Sequence, residues 1–262
     1  MKTSHNIING DCIHELPELE TNSIDLIITS PPYWNIKDYN HINQIGYHDT
    51  YEDYISKLNK VWSQCYRVLR DGCKMCINIG DVSTATKIYG RNKIMPVHSE
   101  IIQYCEDIKF DYMGSIIWNK FNNIRSSGGA IFMGSYPRPR NGVVRIFYEY
   151  ILIFKKLGKQ PDISKEIKEQ SKLTNEEWKK YFYSHWNVEG DKQNKKHSAT
   201  FPEEIPKRLI KMYSFVNDNI LDPFVGSGTT MKIANKLNRN SIGIEINYDY
   251  CDDIKDYFDS II

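Results

Sequence analysis

The chain has 262 residues, 40% of them hydrophobic, with 34 Lys plus Arg against 33 Asp plus Glu. That length carries one large α/β domain with its own core, needing neither disulfide nor metal to hold it. The absence of any apolar run near 18 residues excludes a membrane-spanning helix, and a net charge of +1 excludes binding nucleic acid by bulk positive charge alone.

The first residues, Met1 to Asp11, have no apolar core of the kind an export signal requires, so a cytoplasmic protein is expected. Ser23 to Thr29 is a short apolar run stopped by Ser30-Pro31-Pro32, the profile of a buried parallel strand entering a loop. From Tyr51 to Leu69 apolar residues recur at helical spacing, and Asp71-Gly72 reads as the stop before a strand over Cys73 to Ile79. Six cysteines are scattered along the chain, and only Cys73 and Cys76 form a C-x-x-C. Strand alternation sends those two sulfurs to opposite faces, which fits structural thiols better than a metal site.

Further on, His98 to Cys105 reads as helix, and Tyr112 to Trp118 and Glu149 to Phe154 as strands. Between the last two lies a Gly-, Ser-, Asn- and Pro-rich loop, Asn119 to Arg145. A polar, Lys-rich stretch from 155 to 196 looks like an insertion, with an amphipathic piece around Leu173 to Phe182. Helix returns over Phe201 to Phe215, followed by a strand at Asn219 to Leu221, a helix over Thr229 to Leu237, a strand at Ser241 to Ile246 and a final helix from Tyr250. The alternation predicts an α/β layered fold with residues 1–154 and 197–262 forming one domain around the 155–196 insertion.

Two strand-to-loop sites carry chemistry. In Ile220 to Asn247 a strand feeds a turn containing Gly226 and Gly228, a helix follows from Thr229, and a second strand ends at Glu245. Glycines let backbone approach a ligand, and an acidic residue about 20 positions after the turn fits a ribose-binding carboxylate, which implies a nucleoside-type cofactor. No Lys follows Gly228, so a phosphate-cradling P-loop is disfavoured. The bland alternative is an ordinary tight strand-to-helix turn.

The second site is Thr29-Ser30-Pro31-Pro32-Tyr33-Trp34. The two prolines remove two N–H donors and leave rigid carbonyls beside aromatic faces, which suits a flat, amino-bearing ligand. Its alternative is a Pro-Pro turn whose aromatics seal a core.

Together these motifs resemble the β-class amino methyltransferases of DNA, restriction-modification enzymes that use S-adenosyl-L-methionine. Three further matches sit in the family's order: Asn9-Gly10-Asp11-Cys12, His197-Ser198-Ala199-Thr200-Phe201-Pro202 and Gly243-Ile244-Glu245. The resemblance implies a Rossmann-like, doubly wound, mostly parallel sheet with circularly permuted motif order and a small target-recognition insertion at 155–196. It makes Ser30, Pro31, Pro32 and Tyr33 the catalytic turn, Tyr33 stacking on a flipped base with help from Trp34. It assigns Gly226, Ser227, Gly228 and Thr229 to the methionine end of the cofactor, Glu245 to the ribose and Asp222 to orienting that loop. Asp11 accepts from the adenine amino group, or else is only a turn or cap residue. Cys12, Thr200, Phe201 and Phe224 fall around the adenosine, with Phe201 equally at home as a core contact.

Ser at the first position of the catalytic motif resembles the cytosine-N4 group, whereas Asp or Asn there is usual for adenine N6. The expected activity is therefore methyl transfer to the N4 amino group of a flipped cytosine in double-stranded DNA. Adenine N6 is the alternative, and a non-catalytic DNA-binding protein of the same fold is a more distant one. A homodimer and a cognate restriction endonuclease are further partners the family suggests.

The near-neutral total hides a partition. Trp118 to Arg145 holds Lys120, Arg125, Arg138, Arg140 and Arg145 and no acidic residue, while Asp249 to Ile262 holds five Asp and one Lys. The basic loop is the expected DNA-binding element, gripping phosphates and reading base edges, against the alternative of a solvated charged loop.

Overall fold

The computed structural model describes residues 3–38, 41–84, 86–91, 93–120, 140, 144, 146–189 and 202–261. In chain order the elements are β1 (His5–Asn9), α1 (Cys12–Glu15), β2 (Ile24–Thr29), α2 (Tyr51–Val68), β3 (Leu69–Ile79), β4 (Val82–Thr84), α3 (Thr86–Tyr89), β5 (Lys93–Met95), α4 (Val97–Asp107) and β6 (Phe110–Asn119). They continue with β7 (Tyr148–Lys156), α5 (Lys165–Gln170), α6 (Asn175–Tyr181), β8 (His185–Asn187), α7 (Glu204–Tyr213), β9 (Asn219–Asp222), α8 (Thr229–Lys236), β10 (Asn240–Glu245) and α9 (Tyr248–Asp259).

Eight strands form one sheet in the order β1-β10-β9-β2-β3-β7-β6-β8, while β4 and β5 make a separate ribbon. All neighbours in the large sheet run parallel except those of β7, which is antiparallel to both β3 and β6. This is the doubly wound, mostly parallel sheet expected. The central strand β2 (Ile-Asp-Leu-Ile-Ile-Thr) is buried at every position because helices cover both faces. Ile24 and Ile27 join one core cluster with Leu58, Val61 and Trp62 of α2, whereas Leu26 and Ile28 face the other cluster with Leu209 and Ile210 of α7. Burying each such aliphatic side chain contributes about 1.5–3 kcal/mol. Cys73 packs against the first cluster and Cys76 lies in the second, so the C-x-x-C sulfurs do point to opposite faces.

Two features depart from the sequence reading. Asp71-Gly72 does not stop α2. The helix ends at Val68 and the chain enters β3 directly at Leu69, so Asp71 and Gly72 lie inside the strand. Their role is a bulge: β2 pairs Ile24 with Leu69 but Leu26 with Lys74, and Gly72 takes φ +75° with no room for a side chain beside Gln160.

Residues 155–189, the described part of the expected insertion, are in turn stitched into the large sheet. Lys155 and Lys156 finish β7, β8 pairs in parallel with β6, and Trp186 is 1% exposed with its indole N–H on the Tyr181 carbonyl. Helix α6 packs on α7, where Glu177 pairs with Lys211. Polar composition concealed two buried aromatics, Tyr181 and Trp186, that anchor the described part of the segment. Among the described residues no helix is long and apolar enough to cross a membrane.

Candidate active site

In parallel sheets ligands gather beyond the carboxyl ends of the strands, at the point where the winding reverses. Here β9 leads outward to β10 and β1, while its neighbour β2 leads the other way to β3. The two sequence motifs meet at that seam. Thr29 Oγ1, at the end of β2, donates to Asp222 Oδ1 at the end of β9 at 2.8 Å. A cavity of about 310 Å³ opens beside it, lined by both motifs.

Asp222 organises the part of the cavity formed by the β9–α8 turn. It is buried and also accepts from Thr230 Oγ1 at 2.7 Å and from the Phe224 backbone N–H at 3.1 Å. Burial pushes its carboxyl up to about 6, against the lowering effect of those hydrogen bonds. The turn that follows depends on glycine at two positions. Gly228 caps α8 at φ +82°, and a Cβ there would meet Ile254 at 2.7 Å. Gly226 takes φ +55°, and a Cβ there would have open space around it.

Glu245 reaches back from β10 and accepts from the backbone N–H groups of Gly226 at 2.9 Å and Asn247 at 2.8 Å. One bond to each oxygen fixes the carboxylate and leaves lone pairs for hydroxyl donors. Burial raises its pKa. Asp11 lines the cavity while capping α1 through a 2.9 Å bond from the Ile13 N–H. The cap role is thus present, and it leaves one carboxylate oxygen outside that bond. Cys12, Phe224, Ser227 and Thr229 also line the cavity, whereas Thr200 and Phe201 lie outside the described residues.

Ser30, Pro31, Pro32 and Tyr33 line the same cavity. The Pro32 carbonyl is held by the Tyr54 hydroxyl at 3.0 Å, which anchors the turn to α2. Burial, followed by the Glu149 charge, drives the Tyr33 phenol well above its usual range, so it stays a neutral aromatic platform.

Trp34 requires a correction. Expected to help stack a base, it is 4% exposed, donates its indole N–H to the Asp49 carbonyl at 2.9 Å and packs edge-on against Tyr51. It is a core residue under the turn and offers no face to DNA.

Lys120, expected in the DNA-binding loop, lines the cavity and pairs with Glu149. Arg140 is exposed, and Arg125, Arg138 and Arg145 lie outside the described residues. The sequence reading missed Asn78 and Glu149. Asn78, at the end of β3, donates to Glu149 Oε2 at 2.8 Å and sits 3.3 Å from the Tyr33 hydroxyl and 3.4 Å from Ser30 Oγ. A lone carboxylate in the apolar Tyr-Glu-Tyr-Ile-Leu-Ile-Phe strand was the signal available.

A family model described as DNA methylase matches residues 24–256, nearly the whole chain. The chain belongs to this DNA methylase family. Among curated relatives, the methylase is 38% identical to the type II methyltransferase M.MjaI of Methanocaldococcus jannaschii, over 93% of this chain and 88% of that one. It is 33% identical to the type II methyltransferase M.MthZI of Methanothermobacter thermautotrophicus, over 96% of this chain and 76% of that one.

Among solved structures, the methylase is similar to a DNA modification methylase of Thermus thermophilus in complex with S-adenosyl-L-methionine. That likeness has a TM-score of 0.80 and 31% identity over 98% of this chain and 93% of that one. The cytosine-N4-specific PvuII DNA methyltransferase shares the fold at TM-score 0.66 and 18% identity, over 96% of this chain and 85% of that one.

Proposed function

We propose that this methylase transfers a methyl group from S-adenosyl-L-methionine to the N4 amino group of a cytosine flipped out of duplex DNA. The observation that carries the reading is a single cavity lined both by the Gly226 turn with Glu245 and by the Ser30-Pro31-Pro32-Tyr33 turn. The first group suits this cofactor chemically. Glu245 has acceptor capacity for ribose hydroxyls, the open side of Gly226 permits close approach, and the Asp222 carboxylate complements a cationic ammonium. When bound, the cofactor supplies a methyl group activated by a sulfonium.

The residues of the turn act on the nucleophile. An exocyclic amine is weakly nucleophilic because its lone pair is delocalised into the ring. Acceptance of its N–H bonds by Ser30 Oγ and the Pro31 carbonyl favours a pyramidal nitrogen whose lone pair is available for in-line attack. The Tyr33 ring replaces the stacking lost on flipping, contributing about 1–3 kcal/mol. The exposed Arg140, with its basic neighbours in sequence, fits the duplex backbone.

Serine at position 30 supports cytosine through the family resemblance. The test is mass spectrometry of nucleosides from duplex DNA treated with enzyme and cofactor. N4-methylcytosine is expected, and N6-methyladenine as the sole product would refute the choice of base.

A further inference from the structure

Asn78, Glu149 and Lys120 line the cavity in an unbroken row starting beside Ser30. Both Glu149 oxygens are engaged, Oε1 by Lys120 and Oε2 by the Asn78 amide. This fixes the orientation of the amide, because flipping it would set its oxygen against a carboxylate. Asn78 Oδ1 is then left buried without a hydrogen-bond partner among the described residues. A buried acceptor without a donor costs about 1–3 kcal/mol, so its presence beside a ligand cavity points to a donor that arrives with substrate. At the other end of the row, the Lys120 ammonium has three N–H donors, and the Glu149 bond uses one. Its Nζ lies 4.7 Å from the Trp118 ring centroid, which limits where the remaining donors can point.

The row therefore offers acceptors at the Ser30 end and donors at the Lys120 end. The two ends of the row match the two ends of one edge of a base, and Glu149 between them is held by Asn78 and Lys120. Cytosine presents an amino donor, then the N3 acceptor, then the O2 carbonyl acceptor. Adenine presents an amino donor, then the N1 acceptor, then a C–H. We propose that this row reads the Watson–Crick edge of the flipped base, with Asn78 Oδ1 sharing with Ser30 Oγ the amino N–H on that side, the Pro31 carbonyl keeping the other, and Lys120 donating to O2 of cytosine. Lys120 is thereby a specificity residue, because adenine would leave its desolvated ammonium facing a C–H. The inference rests on the cytosine reading above and adds the group that selects the base.

The test pairs a variant with an altered substrate. Wild type and Lys120→Met are assayed on duplexes carrying either cytosine or its 2-aminopyridine analogue, which lacks O2, at the target position. The wild type is expected to lose about 10- to 100-fold in kcat/KM on the analogue, the range for a hydrogen bond to a charged group. Lys120→Met should lose a similar factor on cytosine and little more on the analogue, and Lys120→Arg should recover part of the loss.

Multiplicative losses, or a wild type indifferent to O2, would overturn the proposal. Titration calorimetry of S-adenosyl-L-methionine checks that each variant retains its cofactor site. Should Lys120→Met fail to bind cofactor, the wild-type comparison of the two substrates still decides. The two readings fail separately: N6-methyladenine in the wild-type product removes the cytosine reading, whereas N4-methylcytosine with multiplicative losses removes only the role of Lys120.

Discussion

Replacing Asp222 with Asn should flatten part of the pH dependence of stability in the cofactor-free enzyme. The carboxyl is buried and its pKa is raised from 3.8 to about 6, so the folded state holds a proton that the unfolded chain has already released. Between those values the folded protein binds more protons than the unfolded one, and stability falls as pH rises through the window. Integrating a shift of that size from pH 4 to pH 8 gives a loss of about 2–3 kcal/mol attributable to Asp222 alone. The amide of the Asp222→Asn variant has no such proton to lose. Urea unfolding of wild type and variant at pH 4, 5, 6, 7 and 8 measures this as a difference of differences, in which contributions of other groups, such as Asp218 (pKa about 7), cancel. The variant should be the less stable protein at pH 4, where it lacks the carboxyl's hydrogen-bond geometry, and should close on wild type as pH rises. Parallel stability profiles for the two proteins would refute both the buried titration and its sign.

Other outcomes follow from the same site. If Asp222 faces the cofactor ammonium, affinity for S-adenosyl-L-methionine in wild type should fall by up to about tenfold per pH unit below pH 6 and level off above it; calorimetry on Asp222→Asn should lack that slope. Gly226→Ala should cost only about 1–2 kcal/mol in stability, for its left-handed backbone, while weakening cofactor binding. Gly228→Ala should lower Tm further, because its Cβ meets Ile254 as well. Ser30→Ala should reduce turnover about 10- to 100-fold with cofactor affinity intact, and wild-type turnover would remove the role given to its hydroxyl. Affinity for duplex DNA should fall steeply between about 50 and 200 mM salt, as expected when lysines and arginines neutralise phosphates; a flat response in a binding titration would contradict a basic recognition loop.

Much of the architecture was legible because its signals are local. The run Ile-Asp-Leu-Ile-Ile-Thr has no polar face and so reads as a strand covered on both sides, and helical spacing from Tyr51 onward places Leu58, Val61 and Trp62 on one buried stripe. The glycine turn was legible for the same reason, since Gly226, Gly228 and Glu245 belong to one strand-turn-helix-strand unit.

What escaped depends on contacts between distant segments. Gly72 looks like helix punctuation until the register of β2 against β3 shows a bulge. Trp34 looks like a stacking residue until Asp49 and Tyr51 close over it. Lys120 reads as one more charge in a basic loop, and nothing in its sequence neighbourhood identifies Glu149 as its partner.

The one reversed strand explains how that partner arrives. On the parallel strands the cavity-lining residues sit at or next to the carboxyl end: Gly10, Ser30, Asn78, Asp222 and Glu245. Glu149 is the second residue of β7, and only a strand running the opposite way brings its beginning to that rim, with Tyr150 opposite Ile79 and Ile151 opposite Asn78. At about 3.3 Å per residue, a parallel β7 would have carried Glu149 roughly 20 Å to the far edge and set Lys155 and Lys156 against the cavity instead. The inversion thus exchanges two cations for one carboxylate at the mouth of the site. It gives evolution a wall that can be rewritten at a strand's first residues without disturbing the carboxyl ends of the parallel strands.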